Sequence, residues 1–154
     1  MNTYKFYTQK GDQYHRIPQT KMYAVIGLLF LAIGFVLWYR TQTMFSLLYL
    51  IFLGIVSLFY FARMFSKIII DLGNQTITYK PTLYSATKVY SLNNIIDLSM
   101  SSKIYVLVLN VRAFLLIDDK ALRIGQSLMT PKPMEELLIE TERILGFNNR
   151  SENG

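Results

Sequence analysis

The chain has 154 residues, of which 52% are hydrophobic, with no cysteine and a formal net charge of +6. The lack of cysteine excludes disulfides, thiol chemistry and cysteine-based metal sites. Residues 67–154 hold ten Lys or Arg and nine Asp or Glu, a net charge of +1, so the positive excess lies in the N-terminal part. This distribution argues against a nucleic-acid-binding surface.

Residues 1–21 are polar and aromatic, and Gly11 and Pro18 interrupt any long hydrophobic periodicity. We expect this segment to be a cytoplasmic leader that is mobile or lies on the membrane surface. His15 is the single histidine and has no evident orienting partner. We therefore expect it to be solvated rather than catalytic.

Two long apolar stretches follow, at residues 22–39 and 44–62, and the only charged residue in or between them is Arg40. About 20 apolar residues are needed for a helix to cross the hydrocarbon core of a membrane. Buried helices of a soluble bundle are the alternative, but they would keep a polar face, whereas these segments are apolar around their whole circumference. The sequence therefore predicts a transmembrane helical hairpin over residues 22–62.

Both apolar stretches contain small residues, which allow helix backbones to approach closely. We expect them to pack the hairpin as a tight antiparallel pair, and a homo-oligomer interface is the other use of the same residues. They are Ala24, Gly27, Gly34, Ser46, Gly54 and Ser57.

Charge predicts the orientation of the hairpin. Basic residues flank it on both outer sides, and Arg40 alone lies in the connecting loop. The positive-inside rule then places both termini in the cytoplasm of a protein that crosses the cell membrane twice. Since no small-residue cleavage motif is present, the first helix is expected to be retained as an anchor. The residues expected at the membrane surface are Lys5, Lys10, Arg16, Lys21, Arg63 and Lys67.

Beyond residue 66 the hydrophobic pattern alternates as in β-strands. Residues 67–71 and 76–80 flank a turn at residues 72–75 and predict a β-hairpin. Five more strands are predicted, at residues 87–91, 95–100, 103–110, 113–117 and 121–125, with a turn at Ser101-Ser102. Seven short strands favour an antiparallel sandwich or an open barrel.

An amphipathic helix is expected to cap this barrel or sandwich. Thr130 is a natural N-cap, Pro131 fits the first helical position, and Gly146 can end the helix in the left-handed conformation. Its apolar face carries Met134, Leu137, Leu138, Thr141 and Leu145, whereas Glu136, Glu140 and Arg143 lie outside that face. Residues 148–154 are expected to form a disordered tail.

The order of these elements resembles bacterial pleckstrin-homology-like (PH-like) domains, which often follow two transmembrane helices. The resemblance is carried by the runs KIIIDLGNQTITYKP, KVYSLNNIIDLSM, AFLLIDDKALRIG and PMEELLIETERIL. It implies a PH-like domain over residues 67–147, tethered to the bacterial inner membrane as a binding or scaffold module. Residues 72–75 lack the Lys and Arg with which eukaryotic relatives bind phosphoinositides around this turn.

No enzymatic constellation is apparent in the sequence, and we expect no cofactor and no metal. The acidic pairs Asp118-Asp119 and Glu135-Glu136 are explained by a turn and by a helix N-terminus. The predicted function is a non-enzymatic adaptor that binds a protein or lipid partner at the cytoplasmic membrane face. The alternative is a small membrane subunit or immunity-type protein, whose hairpin pairs with other helices of a pore or transporter.

Overall fold

The protein is described by a computed structural model over residues 4–105, 108–128 and 130–146. The chain divides into two compact units. One unit contains residues 1–17, 68–79 and 87–154, and the other contains residues 18–67 and 80–86. We call them the sheet unit and the helix unit. The tail predicted at residues 148–154 lies outside the described residues.

The helix unit contains α1 (Thr20–Thr41) and α2 (Met44–Arg63). Both helices are long and apolar enough to cross a membrane. An apolar window of each is only 17% and 11% buried, whereas a core helix of a soluble protein would be mostly buried. Gln42 ends α1 with a left-handed backbone, and a capping box of Thr43 and Ser46 starts α2. The reversal between the helices therefore needs only two residues.

The described residues form eight strands: β1 (Tyr7–Lys10), β2 (Gln13–Arg16), β3 (Lys67–Asp71), β4 (Thr76–Lys80), β5 (Lys88–Ser91), β6 (Ile95–Tyr105), β7 (Val108–Ile117) and β8 (Lys120–Leu128). They make two antiparallel sheets, with the orders β1-β2-β3-β4-β5 and β6-β7-β8. The C-terminal helix α3 (Lys132–Leu145) packs on the second sheet. No closed barrel is formed within the described ranges.

Alternation along β7 builds the core of the sheet unit. Its residues Val111, Ala113, Leu115 and Ile117 are fully buried on one side. Gly125 of the neighbouring strand β8 is needed for the approach of α3, since a Cβ there would lie 2.5 Å from Leu137 Cδ2. Residues from both sheets and from α3 thus share one hydrophobic core.

Residues 7–16 are strands β1 and β2, which corrects the expectation of a mobile or surface-lying leader. Gly11 turns the chain with a positive φ of 60°, and β2 then pairs with β3, with Tyr14 opposite Ile70. Tyr7 and Tyr14 are buried in the core. The prediction failed because each strand has only four residues and β3 follows β2 only after the two helices.

Glu140 of α3 fixes the start of β1, although it was expected outside the packed face of the helix. Its carboxylate accepts hydrogen bonds from the backbone N–H groups of Lys5 at 3.0 Å, Phe6 at 3.0 Å and Tyr7 at 3.2 Å. The Tyr7 hydroxyl lies 2.9 Å from the Thr141 hydroxyl. Burial raises the pKa of Tyr7 because the phenolate would lose its hydration.

The second sheet has fewer and longer strands than predicted. β6 runs through Ser101 and Ser102, where a turn was expected, and the chain reverses between Tyr105 and Val108, inside the strand predicted at residues 103–110. Residues 106 and 107 lie outside the described ranges. Both serines pair with residues of β7, so pairing along the ladder outweighs their preference for turns.

Helix α3 begins and ends close to its predicted bounds. Pro131, rather than Thr130, is the N-cap residue, and no side chain caps this end. Gly146 ends the helix with a φ of 72°, as predicted. The buried face contains Met134, Leu137 and Thr141, together with Ile144, which was not predicted to lie on it.

Asp71 organises the turn between β3 and β4. Its carboxylate accepts hydrogen bonds from the backbone N–H of Asn74 at 2.9 Å, the side chain of Asn74 at 2.9 Å and the side chain of Gln13 at 2.8 Å. These bonds, with those from Asn74 foremost, hold the pKa of Asp71 below its ordinary value of 3.8. The bond from Gln13 also links this turn to β2.

The Asp71→Asn variant is expected to lose stability in a pH-dependent way. Because the folded pKa is lowered, the carboxylate contributes stability above its ordinary pKa, and this contribution is lost as the pH falls through the folded value. Urea unfolding of both proteins at a series of pH values should therefore show a difference at pH 7 that shrinks on acidification. A difference that stays constant over that range would contradict this role.

Candidate functional site: the helix pair and its basic end

Two glycines of α1 allow α1 and α2 to pack closely. Gly27 and Gly34 are both buried. A Cβ on Gly27 would lie 2.8 Å from the Phe61 ring, and one on Gly34 would lie 3.0 Å from Leu50 Cδ1. Neither position has room for a side chain unless its neighbour moves. Glycine at these two positions therefore allows the backbones of α1 and α2 to approach closely.

Ser57 joins the two helices by a hydrogen bond. It is fully buried, and its hydroxyl donates to the carbonyl oxygen of Gly27 at 2.8 Å. An unpaired hydroxyl in such apolar surroundings would be costly, so the bond favours one alignment of the helices. The Tyr60 ring extends the contact, with its centroid 5.6 Å from Phe30 and 6.5 Å from Tyr23.

The other small residues predicted to pack the helices have different surroundings. Ala24 is half-buried. The side chain of Ser46 belongs to the cap of α2, where its hydroxyl accepts a hydrogen bond from the Thr43 N–H. A Cβ on Gly54 would meet no described atom of another element within 4 Å. Gly54 therefore does not pack against α1, because the contact follows the side of α2 that carries Leu50, Leu53 and Ser57.

We expect Gly34→Leu to destabilise the helix pair by about 1–2 kcal/mol, since the added side chain would overpack the contact with Leu50. Gly54→Leu is the matched control, because the same substitution there enters open space. Thermal melting in detergent, followed by the fluorescence of Trp38, the single tryptophan, measures both. Equal melting temperatures for the two variants would rule out a close glycine contact.

Three predicted membrane-surface residues lie at one end of the helix pair, where α1 begins and α2 ends. Lys21 and Lys67 are exposed. Arg63 is half-buried in the last turn of α2, where the helix dipole favours a positive charge. We call this set, Lys21, Arg63 and Lys67, the basic end.

The other three predicted membrane-surface residues belong to the sheet unit. Lys10 is exposed at the end of β1. Lys5 forms an ion pair with Glu136, and its hydrogen bond lowers the pKa of that carboxyl group. Arg16 is buried, which corrects its expected surface role: its guanidinium donates hydrogen bonds to the carbonyl oxygens of Phe6, Ile17 and Ile124. Its charge is used inside the sheet unit.

The sequence matches no protein-family model, and no curated protein is similar to it. In the described part of the chain, no group of three or more His, Asp or Glu side chains is arranged to hold a metal ion. His15 lies in β2 opposite Thr8 and Ile69.

Apolar side chains are exposed on β5 and β6, which lie at the edges of their sheets in the described chain. Met100 pairs with Ala113 and Ile104 pairs with Leu109, so both side chains lie on the core-facing side of the sheet. Met100 is nevertheless 41% exposed, Ile104 is 75% exposed and Val89 of β5 is 62% exposed. We call Met100 and Ile104, which lie on one face of β6, the edge strip. Such sheet edges bind extended segments of other proteins.

Proposed function

We propose that the protein is a non-enzymatic, membrane-anchored adaptor whose PH-like domain binds a protein or lipid partner at the cytoplasmic face of the membrane. Two antiparallel sheets followed by one packed helix support the PH-like assignment. The bacterial inner membrane, which the resemblance implies, is the proposed location.

The observation that carries the proposal is the position of the helix pair in the chain, between the paired strands β2 and β3. Because Tyr14 of β2 lies opposite Ile70 of β3, the chain on both sides of the helices must be in the same compartment. If α1 crosses the membrane, α2 must therefore cross it in the opposite direction. Strand pairing therefore supports two crossings independently of charge, and the basic end supports a cytoplasmic side for both termini.

Membrane attachment suits a module that binds its partner weakly. Restricting the domain to a surface raises its effective concentration toward neighbours on that surface. The edge strip supplies a surface for such a partner, because it combines exposed apolar side chains with a sheet edge. A protein partner with an extended segment is the occupant that this surface suits best.

Site-specific photocrosslinking in the full-length, membrane-inserted protein tests the adaptor proposal. A photoreactive residue at Ile104 should crosslink to a discrete partner. Lys103 is the matched control, since it is exposed but lies on the opposite side of the same strand. Crosslinks of equal yield from both positions, or none from Ile104, would contradict the proposal.

The alternative function, a small membrane subunit that pairs with other membrane helices, is favoured by one observation. Gly54 of α2 faces open space, and a small residue on an outer helix face permits close contact with another helix. A second copy of the chain would use the same face. Crosslinks to protein from Leu58, which is 62% exposed and lies four residues from Gly54 on the same side of α2, without any from Ile104, would favour this alternative.

A further inference from the structure

The last two turns of α2 carry an open groove of about 170 Å³. Val56, Phe59, Tyr60 and Arg63 line it. Their spacing along the helix puts them on one face, and the ring of Tyr60 is held by its stacking on Phe30. The groove is therefore a formed feature of the helix pair, with apolar walls and one basic residue.

Arg63 supplies the charge of this groove. Arg63 forms no ion pair with a carboxylate in the described part of the chain, so its charge is not neutralised there. A guanidinium group offers several N–H donors in a fork that matches phosphate oxygens. Lys21 also belongs to the basic end, and like charges there increase the attraction for an anion.

We propose that this groove binds an anionic phospholipid, with the phosphate on Arg63 and part of an acyl chain against Val56 and Phe59. The inference rests on the proposed membrane location of the helix pair. It goes further by naming the lipid class and the residues that select it. Charge complementarity favours an anionic lipid over a zwitterionic one, while the apolar walls require a ligand with a hydrocarbon chain.

Quenching by brominated lipids tests the proposal with the full chain in bilayers. A Trp38→Phe, Phe59→Trp variant has its single tryptophan in the groove, and Trp38→Phe, Phe45→Trp has it at the opposite end of α2, where Phe45 is 85% exposed. Each is reconstituted with dibromo-phosphatidylglycerol or dibromo-phosphatidylcholine. For the Phe59→Trp reporter we expect quenching by the phosphatidylglycerol to exceed quenching by the phosphatidylcholine about fivefold, and for the Phe45→Trp reporter we expect equal quenching by the two lipids.

Adding Arg63→Gln to the Phe59→Trp reporter should abolish the preference, whereas adding Lys21→Gln should leave most of it. Equal quenching of the Phe59→Trp reporter by the two lipids, or equal effects of the two charge substitutions, would overturn the proposal. Flotation of the same vesicles distinguishes a failure of membrane insertion from a failure of the lipid site. Reporters that fail to float with vesicles would refute membrane insertion itself, whereas reporters that float without lipid preference would refute only the lipid site.

Discussion

Replacing residues 18–66 with a short turn that joins β2 directly to β3 is expected to give a water-soluble domain that unfolds cooperatively. The fragment of residues 67–154 alone is expected to be unfolded or aggregated. Both expectations follow from the location of β1 and β2 in the sheet unit, on the far side of the helices in sequence. β2 and β3 are adjacent and antiparallel, so a tight turn can join them.

The expected loss of stability in the 67–154 fragment is large because this fragment lacks the two core aromatic residues of the N-terminal strands. Tyr7 and Tyr14 are only 3% and 9% exposed, and removing one large aromatic side chain from a core costs about 3–5 kcal/mol. Together these losses are comparable to the whole stability of a small domain, about 5–15 kcal/mol. Arg16 and its hydrogen bond to Ile124 are lost as well.

Circular dichroism and urea unfolding of both proteins measure this difference. In the turn-joined protein, the loop at residues 80–86 loses the hydrogen bond from Leu83 N–H to the Ala62 carbonyl, a local change that should leave one unfolding transition. Cooperative unfolding of the 67–154 fragment, with a midpoint equal to that of the joined protein, would show that the N-terminal strands are dispensable.

Glu140→Ala is expected to lower the free energy of unfolding by about 2–3 kcal/mol, because three backbone N–H groups lose a charged acceptor. Glu140→Gln should cost less. Its amide oxygen can replace the carboxylate oxygen Oε1, which accepts from Phe6 and Tyr7, but its NH2 group cannot accept from Lys5. The order wild type, Gln, Ala in decreasing stability is therefore the expected result.

Glu142→Gln is the matched control for Glu140→Gln, since Glu142 lies on the same helix and its side chain forms no hydrogen bond or ion pair with another described residue. Urea unfolding of the turn-joined domain provides the measurement. Hydrogen exchange at the amides of Phe6 and Tyr7 localises the effect, and these amides should lose protection first. Similar destabilisation by Glu140→Gln and Glu142→Gln would contradict the role of Glu140.

The helix pair and the β3–β4 hairpin could be predicted because their signals are local. The apolar stretches at residues 22–39 and 44–62 lie within α1 and α2, and the strands predicted on either side of residues 72–75 coincide with β3 and β4. Length, hydropathy and turn residues are properties of a short segment. They are therefore visible without knowledge of the partner.

The N-terminal strands could not be predicted in the same way, because their partners are distant in sequence. The only local signal was Gly11-Asp12, a two-residue turn between segments that contain tyrosine, which is typical of a β-hairpin. The three N–H bonds to Glu140 have no sequence signature. The small residues illustrate a similar limit, since Gly27 and Gly54 look equivalent in sequence and only the helix contact distinguishes them.

Cysteine accessibility measures the central claim, two membrane crossings inserted between paired strands of one domain, most directly. The chain has no cysteine, so single substitutions at Gln9, Gln42 and Asn93, all exposed, can be labelled in intact cells with a membrane-impermeant maleimide. We predict labelling at position 42 from outside, and labelling at positions 9 and 93 only after permeabilisation. Labelling of position 9 and position 93 from opposite sides, or of all three from one side, would contradict the account.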